Sequence, residues 1–300
     1  MERIYDLIIV GAGPAGLTAA IYAGRYLLNT LVIGELHGGT ISEADKVCNF
    51  PTYTSITGMQ LSMKMIEQVK NLGIEIKSER VNSIKKNKLF EIKTNNSTYK
   101  SKKIILAIGR DKRRLGIKNE DKFLGKGISY CATCDAGFYK DKIVSVIGGS
   151  NAALTAALLL EKYAKKVYII YRQDKFSKAE PAWIKQVENS NKIETIFNAE
   201  VKEIKGSDRV EGIVLDSKKE ISLSGIFVEI GATPNAELAK QLKLKLDQEY
   251  IVTDKKQKTS LDGVFAAGDI TNNSLKQVIT ACGEGAIATA TAYEEIKKEE

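Results

Sequence analysis

The sequence predicts an α/β protein built from two doubly wound domains, the second inserted into the first. Three observations support this prediction: a glycine-rich turn at residues 11–16, a similar strand, turn and helix that restart at residue 142, and a final strand that ends in Gly268-Asp269. We place the first domain at residues 1–112 and 245–300, and the second at residues 113–244.

The first glycine-rich turn has the spacing G-x-G-x-x-G. Residues 5–10 before it form a short apolar run that predicts a strand, and residues 17–26 after it have the apolar spacing of a helix. Gly11 permits the tight turn, Gly13 lets the backbone approach a diphosphate, and Gly16 allows close packing of helix on strand. The N-terminus of the helix adds partial positive charge. This stretch therefore predicts a Rossmann-like dinucleotide site.

Two later features belong to the same predicted site. Glu35 follows the next predicted strand, residues 30–33, where a carboxylate can accept hydrogen bonds from a ribose. The Gly-Gly-Thr sequence at residues 38–40 predicts a flexible loop close to the same ligand, and we interpret His37, the only histidine, as a loop residue. Gly109 ends another apolar strand and predicts a second glycine turn that returns to the bound nucleotide.

The second glycine-rich turn, residues 148–153, lies between a predicted strand at residues 143–147 and a predicted helix at residues 154–163, but it departs from the dinucleotide pattern. Ser150 stands where the middle glycine should let the backbone touch a diphosphate, and its side chain would crowd that approach. The following strand, residues 166–170, ends in Tyr-Arg-Gln at residues 171–173, which offers neither an acid for a ribose nor an arginine cluster for a 2′-phosphate. The sequence therefore predicts weakened binding of a nicotinamide nucleotide in the second domain.

Two cysteines, Cys131 and Cys134, are separated by two residues and followed at once by Asp135. Thiols at this spacing on one helical turn are close enough to bridge, which favours a redox dithiol, and the carboxylate could move the proton that thiol–disulfide exchange requires. A zinc site would need further cysteine or histidine ligands at similar spacing. The remaining candidates are far apart in sequence: Cys48, Cys282 and His37.

Composition excludes several function classes. The chain has 300 residues, of which 43% are hydrophobic and 27% charged, as in a globular protein. No apolar run approaches the roughly 18 residues of a membrane span, and the N-terminus leads directly into a strand, so we expect no membrane segment. Four cysteines are too few for a disulfide scaffold, and we expect a reducing, cytoplasmic setting.

The charge pattern indicates a protein partner and not nucleic acid. The formal net charge is +8, but no block interleaves basic residues with stacking aromatics. A basic surface favours an acidic protein partner through electrostatic steering. We interpret the basic stretch at residues 110–126, which leads up to the dithiol, as a solvated connection.

These residues together resemble the low-molecular-weight thioredoxin reductases, and the resemblance covers essentially the whole chain. The first glycine turn, the sequence Cys-Ala-Thr-Cys-Asp, the second glycine turn and the terminal Gly-Asp occur in that family's order. The resemblance implies a homodimer that binds FAD in the split first domain and reduces a thioredoxin-like protein. It also implies that Cys134 exchanges electrons with the flavin, Cys131 attacks the partner's disulfide, and Asp135 serves as acid–base.

The expected FAD contacts come partly from the residues and partly from the resemblance. Asp269 would lie where a ribityl hydroxyl could donate to it, and a final helix predicted from residue 275 would point its first N–H groups towards the flavin ring edge. The resemblance adds Asn49. Together the expected contacts are Gly11, Gly13, Pro14, Ala15, Gly16, Glu35, Gly38, Gly39, Thr40, Asn49, Gly109, Gly268, Asp269, Lys276, Gln277 and Val278.

The resemblance breaks down at the expected NADPH site. The family's usual NADPH site has three glycines in the second turn and a His-Arg-Arg…Arg motif after the next strand, whereas this chain has Ser150, Tyr171, Gln173 and Ser177 there. Each lost charge-assisted hydrogen bond to a phosphate weakens binding by about 1.5–3 kcal/mol. Family members with similarly eroded nicotinamide sites take electrons from reduced ferredoxin or a reduced deazaflavin, so the resemblance implies such a donor here. Ferredoxins are acidic, which suits the basic surface.

Three alternatives remain open at this point. The chain could be an ordinary NADPH-dependent thioredoxin reductase, if the weakened site still binds. It could be a dithiol oxidase that passes electrons from small thiols through FAD to oxygen, a class that also lacks a good nicotinamide site. It could also be a flavin-binding redox sensor without turnover, which the intact Cys-Ala-Thr-Cys-Asp sequence disfavours.

Overall fold

The computed structural model describes residues 3–299, and these divide into two units. The first unit contains the chain up to Asp111 and again from Thr233 onward, and the second unit is Lys112–Ala232. Both are mixed α/β units with parallel sheets. The predicted fold class, in which one Rossmann-like domain is inserted into another, is confirmed.

The chain returns to the first unit at Thr233, and the boundary predicted at residue 245 is therefore twelve residues too late. The segment between these positions packs into a buried cluster of the first unit that also contains Tyr5 and Ile8. Its contributing side chains are Leu238, Ala239, Leu242 and Leu244. Because this apolar packing fixes the segment against the first sheet, it belongs to the first unit.

The helices and strands fall into three groups along the chain, separated by the two crossings between units. Before the first crossing they are β1 (Ile4–Val10), α1 (Pro14–Arg25), β2 (Thr30–Ile33), a 3-10 helix (Gly39–Glu43), α2 (Gly58–Asn71), β3 (Glu75–Lys77), β4 (Val81–Lys86), β5 (Phe90–Thr94), β6 (Thr98–Leu106) and β7 (Arg110–Lys112). The inserted unit contains α3 (Glu120–Phe123), β8 (Ile128–Ser129), α4 (Ala132–Asp135), a 3-10 helix (Ala136–Tyr139), β9 (Ile143–Ile147), α5 (Asn151–Leu160), β10 (Lys166–Ile170), α6 (Pro181–Glu188), β11 (Ile193–Ile196), β12 (Val201–Lys205), β13 (Gly212–Leu215), β14 (Glu220–Ser222) and β15 (Gly225–Val228). The remaining elements are β16 (Ala232–Pro234), α7 (Glu237–Gln241), β17 (Leu246–Asp247), β18 (Tyr250–Ile251), β19 (Val264–Ala266) and α8 (Val278–Glu299).

The first unit is organised around a seven-stranded sheet in the order β3-β2-β1-β6-β5-β4, with β19 also paired to β6. The pairings among β3, β2, β1, β6 and β19 are parallel, whereas β4 and β5 run antiparallel. Val10 pairs with both Ile33 and Leu106, and Leu106 pairs with Ala266. Four parallel strands therefore end level at one edge of the sheet, and the turns that follow them meet there.

Both faces of this sheet are covered, which explains why its parallel strands are continuous apolar runs in the sequence. On one face α1 and α8 pack against a cluster that includes Leu7 and Ile9. On the other face a second cluster includes Ile8. The two helices approach closely at Gly285, where a Cβ atom would lie 2.1 Å from the carbonyl oxygen of Ala15.

The second unit contains a parallel sheet in the order β11-β10-β9-β15-β8 and a separate antiparallel sheet of β12, β13 and β14. The strands predicted at residues 143–147 and 166–170 are confirmed at those bounds. Helix α5 begins at Asn151, three residues before the predicted start at residue 154. The turn leads straight into the helix, because Leu154 N–H already donates to the Ser150 carbonyl at 3.0 Å.

Within residues 3–299, no helix combines the length and the apolar character needed to cross a membrane.

The close approach of α1 and α8 makes a stability prediction with a matched control. Gly285→Ala should lower the free energy of unfolding by about 1–3 kcal/mol, because the added methyl group meets backbone that cannot rotate away. Gly283→Ala lies on the same helix with no atom within 4 Å of its Cβ position, and should raise stability by about 0.5–1 kcal/mol. Thermal unfolding followed by circular dichroism compares the two, and changes of the same sign would contradict the predicted packing.

Candidate functional site

A cavity of about 850 Å³ lies in the first unit, at the edge where the parallel strands end. Its wall includes Val10 from the end of β1, Ile33 from the end of β2, and Ala107 and Ala267, which follow β6 and β19. Open α/β sheets bind ligands at this edge, and cofactor sites have volumes of roughly 300–1,000 Å³. The cavity thus has the position and size of a nucleotide site.

Most of the residues predicted to bind FAD line this one cavity. They are Gly11, Gly13, Pro14, Ala15, Glu35, Gly39, Thr40, Gly109, Gly268, Asp269, Lys276, Gln277 and Val278. Three predicted residues are not in its wall. Gly16 lies inside α1, Gly38 donates its N–H to the Ala12 carbonyl at 2.8 Å, and Asn49 donates to Oε1 of the lining residue Gln277 at 3.0 Å.

The first glycine turn has the geometry that a diphosphate requires. Gly11 has φ +113°, and a Cβ atom there would lie 2.1 Å from the carbonyl oxygen of Ala107, so only glycine fits. Gly13 is the N-cap of α1 and provides no side chain, so the N–H groups of Ala15 and Gly16 have no side-chain cap. A helix N-terminus left open in this way binds anions, and the residues present fit the FAD diphosphate.

A buried glutamate in α8 fixes the turn that carries Asp269. Glu284 is 5% exposed and accepts hydrogen bonds from the N–H of Gly268 at 2.7 Å, the hydroxyl of Thr271 at 3.0 Å and the amide of Asn273 at 2.5 Å. The sequence did not point to this role, because the partners of Glu284 lie 11–16 residues away in a loop without a motif. Glu284 therefore holds the backbone around Gly268 and Asp269 at the cavity edge.

Helix α8 begins later than predicted. It starts at Val278, and not at residue 275, because Gln277 is its N-cap and accepts the first helical bond, from Ala281 N–H at 3.0 Å. Lys276 therefore precedes the helix, where its Nζ donates to the Thr271 carbonyl and lies over the Tyr250 ring. Burial lowers the pKa of Lys276.

In the second unit Cys131 and Cys134 form a disulfide, with their Cα atoms 5.3 Å apart. Cys131 caps α4 and its Sγ accepts a hydrogen bond from Cys134 N–H at 3.2 Å. Cys134 is exposed, whereas Cys131 and Asp135 are half-buried. Burial, with the nearby Asp135 charge, raises the pKa of Tyr139. The part of the chain that the structure describes contains no cluster of three or more metal-ligating side chains.

The sequence predicts that the basic stretch before the dithiol is a solvated connection. The structure shows that it also contains a buried hydrogen-bond network. Its centre is Glu120, which is 5% exposed and accepts from Arg114 Nε at 3.0 Å and from the N–H groups of Leu115 at 3.1 Å and Gly116 at 2.7 Å. The hydroxyl of Tyr130, the residue before Cys131, also donates to Glu120. This network ties the start of the dithiol segment to the loop around Gly116.

The same network shifts two pKa values in opposite directions. Burial alone would raise the pKa of Glu120, but the hydrogen bonds from Tyr130 and from the backbone of Gly116 and Leu115 outweigh it, so the pKa is lowered. Burial and the bond to Glu120 raise the pKa of Tyr130 to about 12. At neutral pH the pair is therefore a carboxylate that accepts from a neutral phenol.

Side chains of the second unit pack against its glycine turn and the start of α5. A Cβ atom on Gly149 would lie 2.5 Å from the ring of Tyr171, and Phe176 stacks on that ring with centroids 6.0 Å apart. At the N-terminus of α5, Asn151 donates to the Glu180 carboxylate at 2.8 Å and accepts from Glu180 N–H at 2.7 Å. The sequence attributed the loss of the nucleotide pattern to Ser150; the structure adds an aromatic ring and an acid at the same place.

A known protein family matches most of this chain. A family model described as pyridine nucleotide-disulphide oxidoreductase matches residues 5–285. The chain belongs to this family. The description names a disulfide, which the second unit contains, and the cavity of the first unit has the position and size of an FAD site. The chain is accordingly an FAD-dependent oxidoreductase.

Within the family, several similar proteins are thioredoxin reductases. The chain is 34% identical to the thioredoxin reductase of Bacillus subtilis, over 99% of this chain and 96% of the relative. The crystal structure of T. acidophilum thioredoxin reductase is 37% identical with a TM-score of 0.93, and the match covers 98% of this chain and 99% of that one. A ferredoxin-flavin thioredoxin reductase from Clostridium acetobutylicum is 34% identical with a TM-score of 0.56, over 99% of this chain and all of that one. The resemblance to the thioredoxin reductases is confirmed.

The Glu120 network makes a pH-dependent stability prediction. Because the pKa of Glu120 is lower when folded than its usual 4.5, the carboxylate stabilises the fold above about pH 4.5, and this contribution is lost as the pH falls towards the folded pKa. Glu120→Gln should therefore lower the free energy of unfolding at pH 7 by at least about 1.5–3 kcal/mol, the usual contribution of a hydrogen bond to a charged group.

Thermal unfolding of the parent and Glu120→Gln between pH 7 and pH 3.5 measures this effect. The difference between the two should shrink as the pH falls, and a constant difference would contradict the assignment. Glu203→Gln, an exposed acid in the same unit, is the matched control and should show no such trend.

Proposed function

We propose that this chain is a disulfide reductase in which electrons pass from an external donor to FAD, then to the Cys131–Cys134 disulfide, and then to a thioredoxin-like protein. The observation that carries the proposal is the combination of an open nucleotide cavity in one unit with a bridged, accessible cysteine pair in the other. The resemblance supports a homodimer, and the few cysteines support a reducing, cytoplasmic setting.

The lining residues suggest how the chain holds FAD. The uncapped N-terminus of α1 would bind the diphosphate, and Glu35 at the end of β2 would accept from a ribose hydroxyl. Asp269 would accept from the ribityl chain, while Gln277 and Val278 at the start of α8 would face the flavin ring. FAD supplies the exchange of electrons between the donor and the two-electron disulfide.

The dithiol chemistry needs one proton donor and two distinct sulfurs. Two electrons and two protons convert the disulfide to two thiols. The Cys131 thiolate then attacks the substrate disulfide, which releases one substrate thiolate, and Cys134 attacks the mixed disulfide to release the second. Asp135, half-buried and adjacent to Cys134, would take and return the proton.

An exposed aromatic beside the dithiol supports a protein substrate. Phe138 is 74% exposed, four residues after Cys134, and borders a groove of about 630 Å³. Three cations, Lys126, Lys142 and Arg209, line the same groove. An exposed aromatic anchor with a charged rim is a common arrangement at protein–protein interfaces, and this one suits a partner with an acidic rim.

The second unit supports a donor other than NADPH, and we propose reduced ferredoxin. The Tyr171 ring lies against the turn at Gly149, and Glu180 places an acid at the N-terminus of α5, where a phosphate would otherwise bind. The net charge of +8 favours an acidic protein donor. The similar protein from C. acetobutylicum is itself described as ferredoxin-linked.

Anaerobic bleaching of the flavin absorbance tests the proposed donor. Reduced ferredoxin should bleach the holoenzyme, and oxidised thioredoxin should then restore the absorbance, whereas NADPH or NADH at micromolar concentration should leave it unchanged. The double variant Cys131→Ser/Cys134→Ser is the control and should bleach without passing electrons to thioredoxin.

Rapid bleaching by NADPH would instead make this an ordinary NADPH-dependent reductase, and bleaching by a reduced deazaflavin alone would replace ferredoxin as donor. Oxygen consumption on addition of small dithiols, without thioredoxin reduction, would identify a dithiol oxidase. Each of these results contradicts the proposed route.

Single cysteine variants test the two sulfur roles. In Cys131→Ser the remaining Cys134 thiolate should give a long-wavelength charge-transfer band with the flavin, because Cys134 is the sulfur assigned to exchange electrons with it. Cys134→Ser should show no such band. Absorbance spectra of the two purified variants distinguish the two assignments. A band in Cys134→Ser and none in Cys131→Ser would exchange the roles of the two sulfurs.

A further inference from the structure

One arginine in the wall of the nucleotide cavity has no part in the site described so far. Arg110 is the first residue of β7, and its Nε and Nη2 both donate to Oδ2 of Asp269, at 2.9 and 2.5 Å. The two side chains are 27% and 29% exposed. Both bonds end on Oδ2, so neither of them uses the second oxygen of Asp269, Oδ1.

The charges around the cavity make this arginine significant. Five acids line it, Glu35, Glu79, Asp111, Glu237 and Asp269, against three bases, Arg80, Arg110 and Lys276. The diphosphate of FAD adds two more negative charges to a wall that already has two more acids than bases. Each cation in the wall therefore opposes a large repulsion.

The three bases are not equivalent. Arg80 is exposed, so solvent screens its charge. Lys276 donates to the Thr271 carbonyl, and burial lowers its pKa. Arg110 is half-buried, and a guanidinium keeps its charge at any working pH. It is therefore a half-buried cation of the cavity wall whose charge does not depend on pH.

We propose that Arg110 is an FAD-binding residue with two contributions. It holds Asp269 by Oδ2 and leaves Oδ1 to accept from the cofactor's hydroxyl chain, and its positive charge offsets the diphosphate. The inference rests on the FAD site proposed above, and not on the identity of the donor or of the disulfide substrate.

A purely structural role predicts a different outcome. If the Arg110–Asp269 ion pair only joined β7 to the turn after β19, loss of the pair would lower thermal stability. The affinity for FAD and the salt dependence of that affinity would be unchanged. An electrostatic contribution to binding instead weakens with ionic strength, since salt screens the attraction. FAD affinity and its salt dependence therefore separate the two roles.

The test measures FAD release from the purified holoenzyme by the rise in flavin fluorescence on dilution. Arg110→Gln should raise the dissociation constant about 10- to 100-fold, because a half-buried positive charge that opposes the repulsion of the diphosphate is removed and Asp269 is no longer held. Arg110→Lys keeps the charge but cannot make both bonds, and should lie between parent and Arg110→Gln. Arg25→Gln, an exposed arginine at the end of α1, is the matched control and should match the parent.

Two further comparisons make the result decisive. Raising the salt concentration should narrow the difference in FAD dissociation constant between the parent and Arg110→Gln, because salt screens the charge that the variant removes, and Arg110→Lys should respond to salt as the parent does. Adding Arg110→Gln to Asp269→Asn should still weaken binding further, because the charge acts on the diphosphate independently of Asp269.

A dissociation constant for Arg110→Gln within twofold of the parent, or an unchanged salt dependence, overturns the proposal. Neither result depends on ferredoxin or thioredoxin, so it is independent of the proposed electron route.

Discussion

The cofactor cavity depends on the register of four parallel strands in the first sheet. Val10, Ile33, Leu106 and Ala266 end level with one another, so the turns that follow them converge on one edge. The backbone at Gly11 can contact Ala107 only because β1 and β6 end at the same level. A shift of one residue in any of these pairings would turn buried side chains to the opposite face and separate the turns.

The two glycine turns share their first half and differ in the second. Gly11 and Gly148 both have positive φ, and at each a Cβ atom would lie 2.1 Å from a carbonyl oxygen, of Ala107 and of Glu229 respectively. The strand-to-helix geometry is thus the same in both units. The first turn faces a cavity, whereas the Tyr171 ring packs against the second. A glycine pattern therefore specifies how the backbone turns, and the neighbouring side chains decide whether a nucleotide can bind there.

Local patterns predicted the strands, the turns and the cysteine pair, because apolar periodicity and glycine spacing are properties of short segments. The strands at residues 30–33, 143–147 and 166–170 were placed at their observed bounds. Long-range partners could not be found in this way. Arg110 meets Asp269 across 159 positions, and nothing near either residue indicates the other. Glu120 likewise lies in a stretch that the sequence predicts to be a solvated connection, but the fold buries it and Tyr130 donates to it.

The central proposal is that one unit binds a dinucleotide and that the other, despite its glycine turn, does not. Calorimetric titration of NADPH into the oxidised holoenzyme tests this directly, because it measures binding without requiring electron transfer. The packing of Tyr171 against the turn at Gly149 predicts no saturable heat at micromolar NADPH, with FAD remaining bound throughout. A saturable isotherm with a micromolar dissociation constant would contradict it, and would mean that Tyr171 and Glu180 move aside for the nucleotide.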